Sequence, residues 1–255
     1  MIDSHAHYDD EAFDEDRDSL LLSLPCHGIE TVINVGASIE SSKRSIALSQ
    51  TYPFVYAAVG VHPSDTAPLT EEDMKWLKEQ TFLKKVVAIG EIGLDYYWDE
   101  PDRETQKKWF LRQLLLAKET DMPVIIHSRD AAQDTLSIMK EAGCDNIPGV
   151  VHCYSYTKES AYEFLSMGYY FGIGGVLTFK NAKKLKEAVS YIPMDRILLE
   201  TDCPYLAPEP NRGKRNCSLY IPYVVTALSQ IKGISEEEVI QTATENTKKL
   251  FRLQK

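Results

Sequence analysis

The sequence predicts an α/β fold, a closed (β/α)8 TIM barrel, and three observations predict it. Short β-branched runs recur about eight times in 255 residues. They are almost continuously apolar rather than alternating, as suits parallel strands covered on both faces. Helical patterns fall between them, the rhythm of βαβ units. Some eight repeats in this length favour ring closure over an open doubly wound sheet. No linker, low-complexity tract or composition break divides the chain, so residues 1–255 are expected to form one domain.

The strand candidates begin with "MIDSHAH" and continue at Thr31–Gly36, Phe54–Val61, Val86–Gly93 and Val124–His127. Gly149–His152, Tyr169–Gly175 and Ile197–Asp202 complete the set. Among the helical patterns, Arg103–Asp121 places Trp109, Phe110, Leu114 and Ala117 in one stripe, with lysines opposite. "RDAAQDTLSIMKEAG" ends on Gly143, a C′ glycine. Thr70 with Asp73 and Ser235 with Glu238 have capping-box spacing, the second with the better acid.

Composition narrows the function classes. With 44% hydrophobic and 26% charged residues the chain can bury a sizeable core. No run approaches the roughly 20 apolar residues of a membrane span. Asp3 and the acidic stretch Asp9–Glu11 stand where a secretory leader would carry basic and apolar residues, so none is expected. Five cysteines at irregular spacings fit reduced thiols in a cytoplasm. A net charge of −10 argues against a broad duplex-DNA binder. An enzyme handling one strand end in a small pocket stays open, because bound cations add charge that residues do not count.

The metal-capable side chains are not scattered. His5 and His7 end the first strand, Glu91 follows "VVAIG", His127 ends "VII", His152 ends "GVV" and Asp202 ends "ILLET". All six therefore fall at C-terminal strand ends, the face where barrel enzymes build their sites. Alternation points His5 and His7 the same way, with Asp3 one layer deeper and Ala6 outward beneath a helix. A single histidine at a strand end is ordinarily a structural hydrogen bonder. Six ligand types in matching positions indicate a metal centre.

Imidazoles and carboxylates without thiolate fit Zn, Mn, Fe, Ni or Mg. Six ligands exceed what one catalytic ion takes while keeping an open position, so a pair of divalent cations bridged by Glu91 is expected. Such a pair supports metal-assisted hydrolysis. Parity turns Cys153 and Cys203 away from the site into packing, and sets Glu200 deeper on the side of Asp202. His62, in "GVHP", lies on the same rim as a substrate-pocket candidate, and His27 reads as a helix-end cation.

The sequence resembles the TatD family of metal-dependent deoxyribonucleases, within the amidohydrolase-like barrel superfamily. The resemblance spans the chain through "DSHAH", "GVHP", "GEIGLDY", "IIHSRDA", "VHCYS", "GGVLTFKNAK", "ETDCPYLAP", "RGKRN" and "ENTKKLF". It implies metal ligation by His5, His7, Glu91, His127, His152 and Asp202, usually of two ions. For activity it implies removal of nucleotides from DNA 3′ ends, with single-stranded or 3′-terminal DNA as substrate and no obligate protein partner. Asp202 is then the acceptor of the water's proton, and Glu91 and Asp202 the catalytic carboxylates.

Arg129 and the loop residues Arg212, Lys214 and Arg215 are candidate phosphate contacts. Tyr96, Tyr97 and Trp98 are candidates for base stacking. Cys217–Ser218 replace the family's usual Glu-Pro, and Tyr156–Thr157 its usual Gly-Ser; both segments are expected in loops above the site. Two other functions fit the same residues: hydrolysis of an amide, ester or lactone, and a non-catalytic metal-bound interaction protein.

Overall fold

The computed structural model describes residues 1–253. Eight strands hydrogen-bond in chain order, every adjacent pair parallel. They are β1 (Ile2–Ala6), β2 (Thr31–Val35), β3 (Val55–Val59), β4 (Val86–Asp95), β5 (Val124–Arg129), β6 (Gly149–Val151), β7 (Tyr170–Ile173) and β8 (Ile197–Leu199). Backbone beyond β8 closes the ring. Asp202 N–H donates to His5 O (2.9 Å) and His7 N–H to Cys203 O (2.8 Å).

A helix follows each strand: α1 (Arg17–Ser23), α2 (Ile39–Thr51), α3 (Glu71–Gln80), α4 (Arg103–Thr120), α5 (Ala132–Ala142), α6 (Lys158–Ser166), α7 (Lys183–Tyr191) and α8 (Ile221–Lys232). A further helix, α9 (Glu236–Leu250), ends the described chain. This is the predicted TIM-barrel-like α/β architecture. Among the described residues no helix is long and apolar enough to cross a membrane, and all five cysteines are free.

Alternation along the strands divides the apolar residues between two cores. The larger lies between strands and helices and takes Ala6, Val32, Ile89, Ile92, Ile126 and Val151. The smaller fills the barrel with Ile33, Val35, Ala58, Ile125, Val150, Tyr170 and Leu198, and Leu250 and Phe251 join it. Those two residues come from the end of α9, whose Asn246 amide donates to Met194 O and Ile197 O (both 2.9 Å) where β8 begins. The helix therefore plugs the end of the barrel opposite the strand C-termini.

Local signals work as their chemistry requires. Thr70 and Asp73 form the reciprocal capping box of α3, and Gly143 takes the left-handed conformation (φ +70°) that ends α5. At α9 only the forward half of the box forms, Ser235 Oγ accepting from Glu238 N–H (3.1 Å).

Truncating the plug tests this account. Phe251→Ala should destabilise the fold by about 3–5 kcal/mol, because the cavity lies between α9 and a rigid ring of strands. Equilibrium unfolding in denaturant reads this out; a midpoint equal to that of the wild type would show that the plug contributes nothing.

Candidate metal centre

The six predicted ligands converge at the C-terminal mouth of the barrel. His5 Nε2 and His7 Nε2 lie 3.1 Å apart. Both face Glu91 Oε2 (3.5 and 3.6 Å) and Asp202 Oδ1 (3.7 and 3.4 Å). Glu91 Oε1 faces the other pair, at 2.7 Å from both His127 Nδ1 and His152 Nε2, which are 3.2 Å from each other. One carboxylate thus divides its two oxygens between two imidazole pairs.

The donor set fits cations. Two nitrogens bound at about 2.1 Å to one ion stand roughly 3.0–3.4 Å apart, the spacing of each imidazole pair here. Tautomers agree where a partner fixes them. His7 Nδ1 donates to Val35 O (2.8 Å), which leaves Nε2 with its lone pair toward the centre. His127 Nε2 donates to Asp95 Oδ2 (3.2 Å), which leaves Nδ1 free to ligate.

Charge in this buried cluster is unevenly held. Burial disfavours a charged His7, but the Asp202 hydrogen bond and the charges of Glu91, Asp202 and Asp9 prevail and raise it to about 10. His127 behaves likewise, lifted against burial to about 9 by Asp95 and Glu91. Burial and the neighbouring His152 push His5 down to about 4. Burial would lift Glu91, yet His152, His127 and His5 hold it well below the usual carboxylate range.

Backbone geometry delivers these groups in ways strand alternation does not. β8 stops at Leu199, and Asp202 lies beyond it with φ +58°, held by its bond to His5 O. Cys153 has φ +45°, so alternation ends at Val151 and the parity expectation for this residue fails. Its N–H donates to Glu200 Oε1 (2.6 Å), and burial with the charges of Asp202, Glu200 and Glu91 pushes its thiol well up. Cys203 does pack in the outer core as expected.

The other candidates separate by contact. His62 belongs to the mouth: its ring lies edge-on to His127 (4.3 Å between centroids), and its Nε2 stands 3.8 Å from Glu91 Oε1. Its Nδ1 accepts from Ser64 N–H (3.2 Å), which puts the ring proton on Nε2. Arg129 stacks on Tyr97 (3.8 Å) and Arg212 on Phe179 (4.3 Å), both residues exposed. Among the described residues Lys214 reaches only Asn211, in its own loop (3.4 Å). Arg215 is engaged elsewhere, paired through two nitrogens with Asp16 (2.7 and 2.6 Å).

The Cys217–Ser218 segment is buried rather than in a loop above the site. Ser218 Oγ donates to Asp3 Oδ2 (2.6 Å), and Thr201 Oγ1 donates to the same oxygen (2.7 Å). Asp3 is buried one residue pair below His5, where burial lifts it to about 6 against these hydrogen bonds. Tyr156 is half-buried, its hydroxyl bonded to Ser128 Oγ (2.9 Å) and accepting from Ala131 N–H (3.1 Å).

One functional neighbour escaped the sequence reading. Asp95 holds His127 with Oδ2 and accepts the N–H groups of Tyr97 (2.9 Å) and Trp98 (3.3 Å) with Oδ1. Its signal was present, four residues after Glu91 and so on the same side of one continuous strand.

The fold agrees with comparisons to known proteins. A family described as "TatD related DNase" matches residues 2–252. A Bacillus subtilis protein named "Uncharacterized metal-dependent hydrolase YabD" is 44% identical over 253 residues, covering 99% of both chains. Escherichia coli YcfH, named in the same terms, is 35% identical over 257 residues, 99% of this chain and 96% of its own. The crystal structure of YjjV, a TatD homologue from Escherichia coli, superposes with a TM-score of 0.94 at 31% identity, covering 100% of this chain and 98% of that one. The chain belongs to the TatD family of metal-dependent hydrolases.

Proposed function

We propose that the centre binds two divalent cations and hydrolyses phosphodiester bonds at the 3′ end of DNA, with single strands as the preferred form. The observation that carries this reading is Glu91, whose two oxygens each face their own imidazole pair. A bound cation pair would supply a water acidified to neutral pH and charge compensation for both oxygens of an in-line displacement. Mg, Mn, Zn and Ni all suit these nitrogen and oxygen donors.

The chain's own groups do the rest. The Asp202 side chain is 16% exposed against 5% for Glu91, so it is the carboxylate open to the mouth and takes the proton of the attacking water. Water adds to phosphorus, the bond from phosphorus to the 3′ oxygen breaks, and that oxygen leaves with the proton that Asp202 took from the water. His62 is kept neutral, burial and His127 lowering it to about 3, so its Nε2–H donates to a phosphate oxygen without carrying charge. Tyr97 (56% exposed) and Trp98 (65% exposed) form an aromatic ledge beside the centre on which a terminal base stacks, with Arg129 against Tyr97. Arg212 and Lys214 receive backbone phosphate, a role for which Arg215 is unsuited while Asp16 neutralises it.

Three measurements test this. Purified protein with Mg2+ or Mn2+ restored should shorten single-stranded DNA from its 3′ end, and Asp202→Asn should slow this by about 10²–10⁴-fold. An unaffected rate would mean a contaminating nuclease. Turnover of an ester and lactone panel without DNA cleavage would favour the small-molecule hydrolase, and cation binding with no turnover at all the interaction protein.

Removing the ledge with Trp98→Ala should raise KM for single-stranded DNA roughly 5- to 100-fold and leave kcat nearly unchanged. An unmoved KM would mean that bases stack elsewhere.

Cation affinity should rise with pH. His127 and His7 hold protons in the cation-free protein up to about 9 and 10, and the cation at each imidazole pair must displace one of them. Affinity at each cation position therefore climbs through neutrality, by up to about 10-fold per pH unit, and levels off above those values. Calorimetry in buffers of different ionisation enthalpy near pH 7 should report about two protons released; none released would contradict it.

A further inference from the structure

Among the described residues seven buried side-chain polar atoms lack a hydrogen-bond partner, and three of them are His5 Nδ1, His152 Nδ1 and Glu200 Oε2. These residues also stand together: a nitrogen of each histidine and a carboxylate oxygen of Glu200 lie within 4.8 Å of one another. The two rings stack face to face, 3.9 Å between centroids and 11° from parallel. Each turns its Nε2 toward Glu91.

Resting on the two-cation reading, we infer that Glu200 is the shared positioning residue of His5 and His152, its Oε2 accepting from the Nδ1–H of both, directly or across one water. An imidazole that ligates through one nitrogen carries its proton on the other, and that N–H needs an acceptor to fix the ring. His7 has Val35 O and His127 has Asp95. His5 and His152 have none, and Glu200, whose Oε2 is without a partner, is the buried acid that stands with them.

The surroundings keep the carboxylate in place. Cys153 N–H fixes Oε1 (2.6 Å). Gly172 leaves the space that Oε2 fills, since a Cβ there would collide with that oxygen. Glu200 is 1% exposed, and a carboxylate so deeply buried needs compensating donors. Two imidazole N–H groups supply them. One acid serving two ligands also couples the cation positions, because His5 belongs to one imidazole pair and His152 to the other.

The experiment uses the full chain and Zn2+ as probe. Glu200→Gln keeps the shape but loses the second acceptor oxygen, so competition with a chromophoric chelator should show Zn2+ affinity about 10–100-fold weaker. Gly172→Ala, which crowds Oε2, should weaken binding in the same direction and serves if Glu200→Gln does not fold. In wild type labelled with 15N-histidine and loaded with Zn2+, His5 and His152 should both show slowly exchanging Nδ1–H protons, absent or shifted in Glu200→Gln. Wild-type affinity in folded Glu200→Gln, or Nδ1 ligation of either ring, would overturn the assignment. So would anomalous density for a third cation at Glu200. Zn2+ binding without DNA cleavage would sink the nuclease reading and leave Glu200's role standing; a wild type that binds no Zn2+ would sink both.

Discussion

The mouth of this barrel depends on how its ring of strands closes. β8 has three residues and does not itself reach the level of His5 and His7. The seam is completed by the chain beyond it, through the bonds from Asp202 N–H to His5 O and from His7 N–H to Cys203 O. Beneath it, Asp3 accepts from Thr201 N–H (3.0 Å), Thr201 Oγ1 and Ser218 Oγ, tying β1 to two segments some 200 residues later. The centre consequently exists only in the completed fold: no local stretch of chain can bring Asp202 to His5. Such long-range closure is intrinsically slow to form.

Closure also creates an electrostatic conflict that protons cannot resolve. Four imidazoles and two carboxylates are gathered where burial opposes every charge, and the result is His7 raised to about 10 beside His5 lowered to about 4. One proton can be shared between His5 Nε2 and His7 Nε2 across 3.1 Å, but a second has no room there, so the neighbouring carboxylates stay uncompensated on that side. A cation accepts both lone pairs at once. Under the two-cation reading the conflict belongs to the cation-free protein, and ligand binding removes it by displacing protons from the groups that hold them most tightly.

What was legible in the sequence follows the physics of each element. Strand positions were readable because buried parallel strands are continuously apolar, and the six candidate ligands because they sit where those runs turn polar. α2 gave no comparable signal: its buried face carries Ser41, Ser42, Ser45 and Ser49, which bond Asp9, Gly60 O, Asn34 and its own backbone rather than forming an apolar stripe. The Cys153 error and the position of Asp202 share one cause. Alternation holds only within a strand, and positive φ at both residues takes them out of it. Ser218 was misplaced because its role is set by Asp3, a partner 215 residues away that no local pattern can reveal.

Asp95 shows how the site joins its rim. One oxygen fixes the His127 ring and the other caps the turn that presents Tyr97 and Trp98, so a single carboxylate positions the imidazole and both aromatic side chains. α4 secures it in turn: Gln106 Oε1 accepts from Asp95 N–H (2.9 Å) and its amide donates to Asp95 O (3.1 Å). One helical face further along, Gln113 does the same for Val61, next to His62. Buried glutamines in a helix are costly unless both ends of the amide are paired. Here the pairing is with the backbone at the ends of β4 and β3, which makes α4 the rigid frame for His62, Asp95 and His127 together. Under the proposed reading, a substrate group resting on Tyr97 and Trp98 would meet a turn tied to the centre through Asp95 and Gln106.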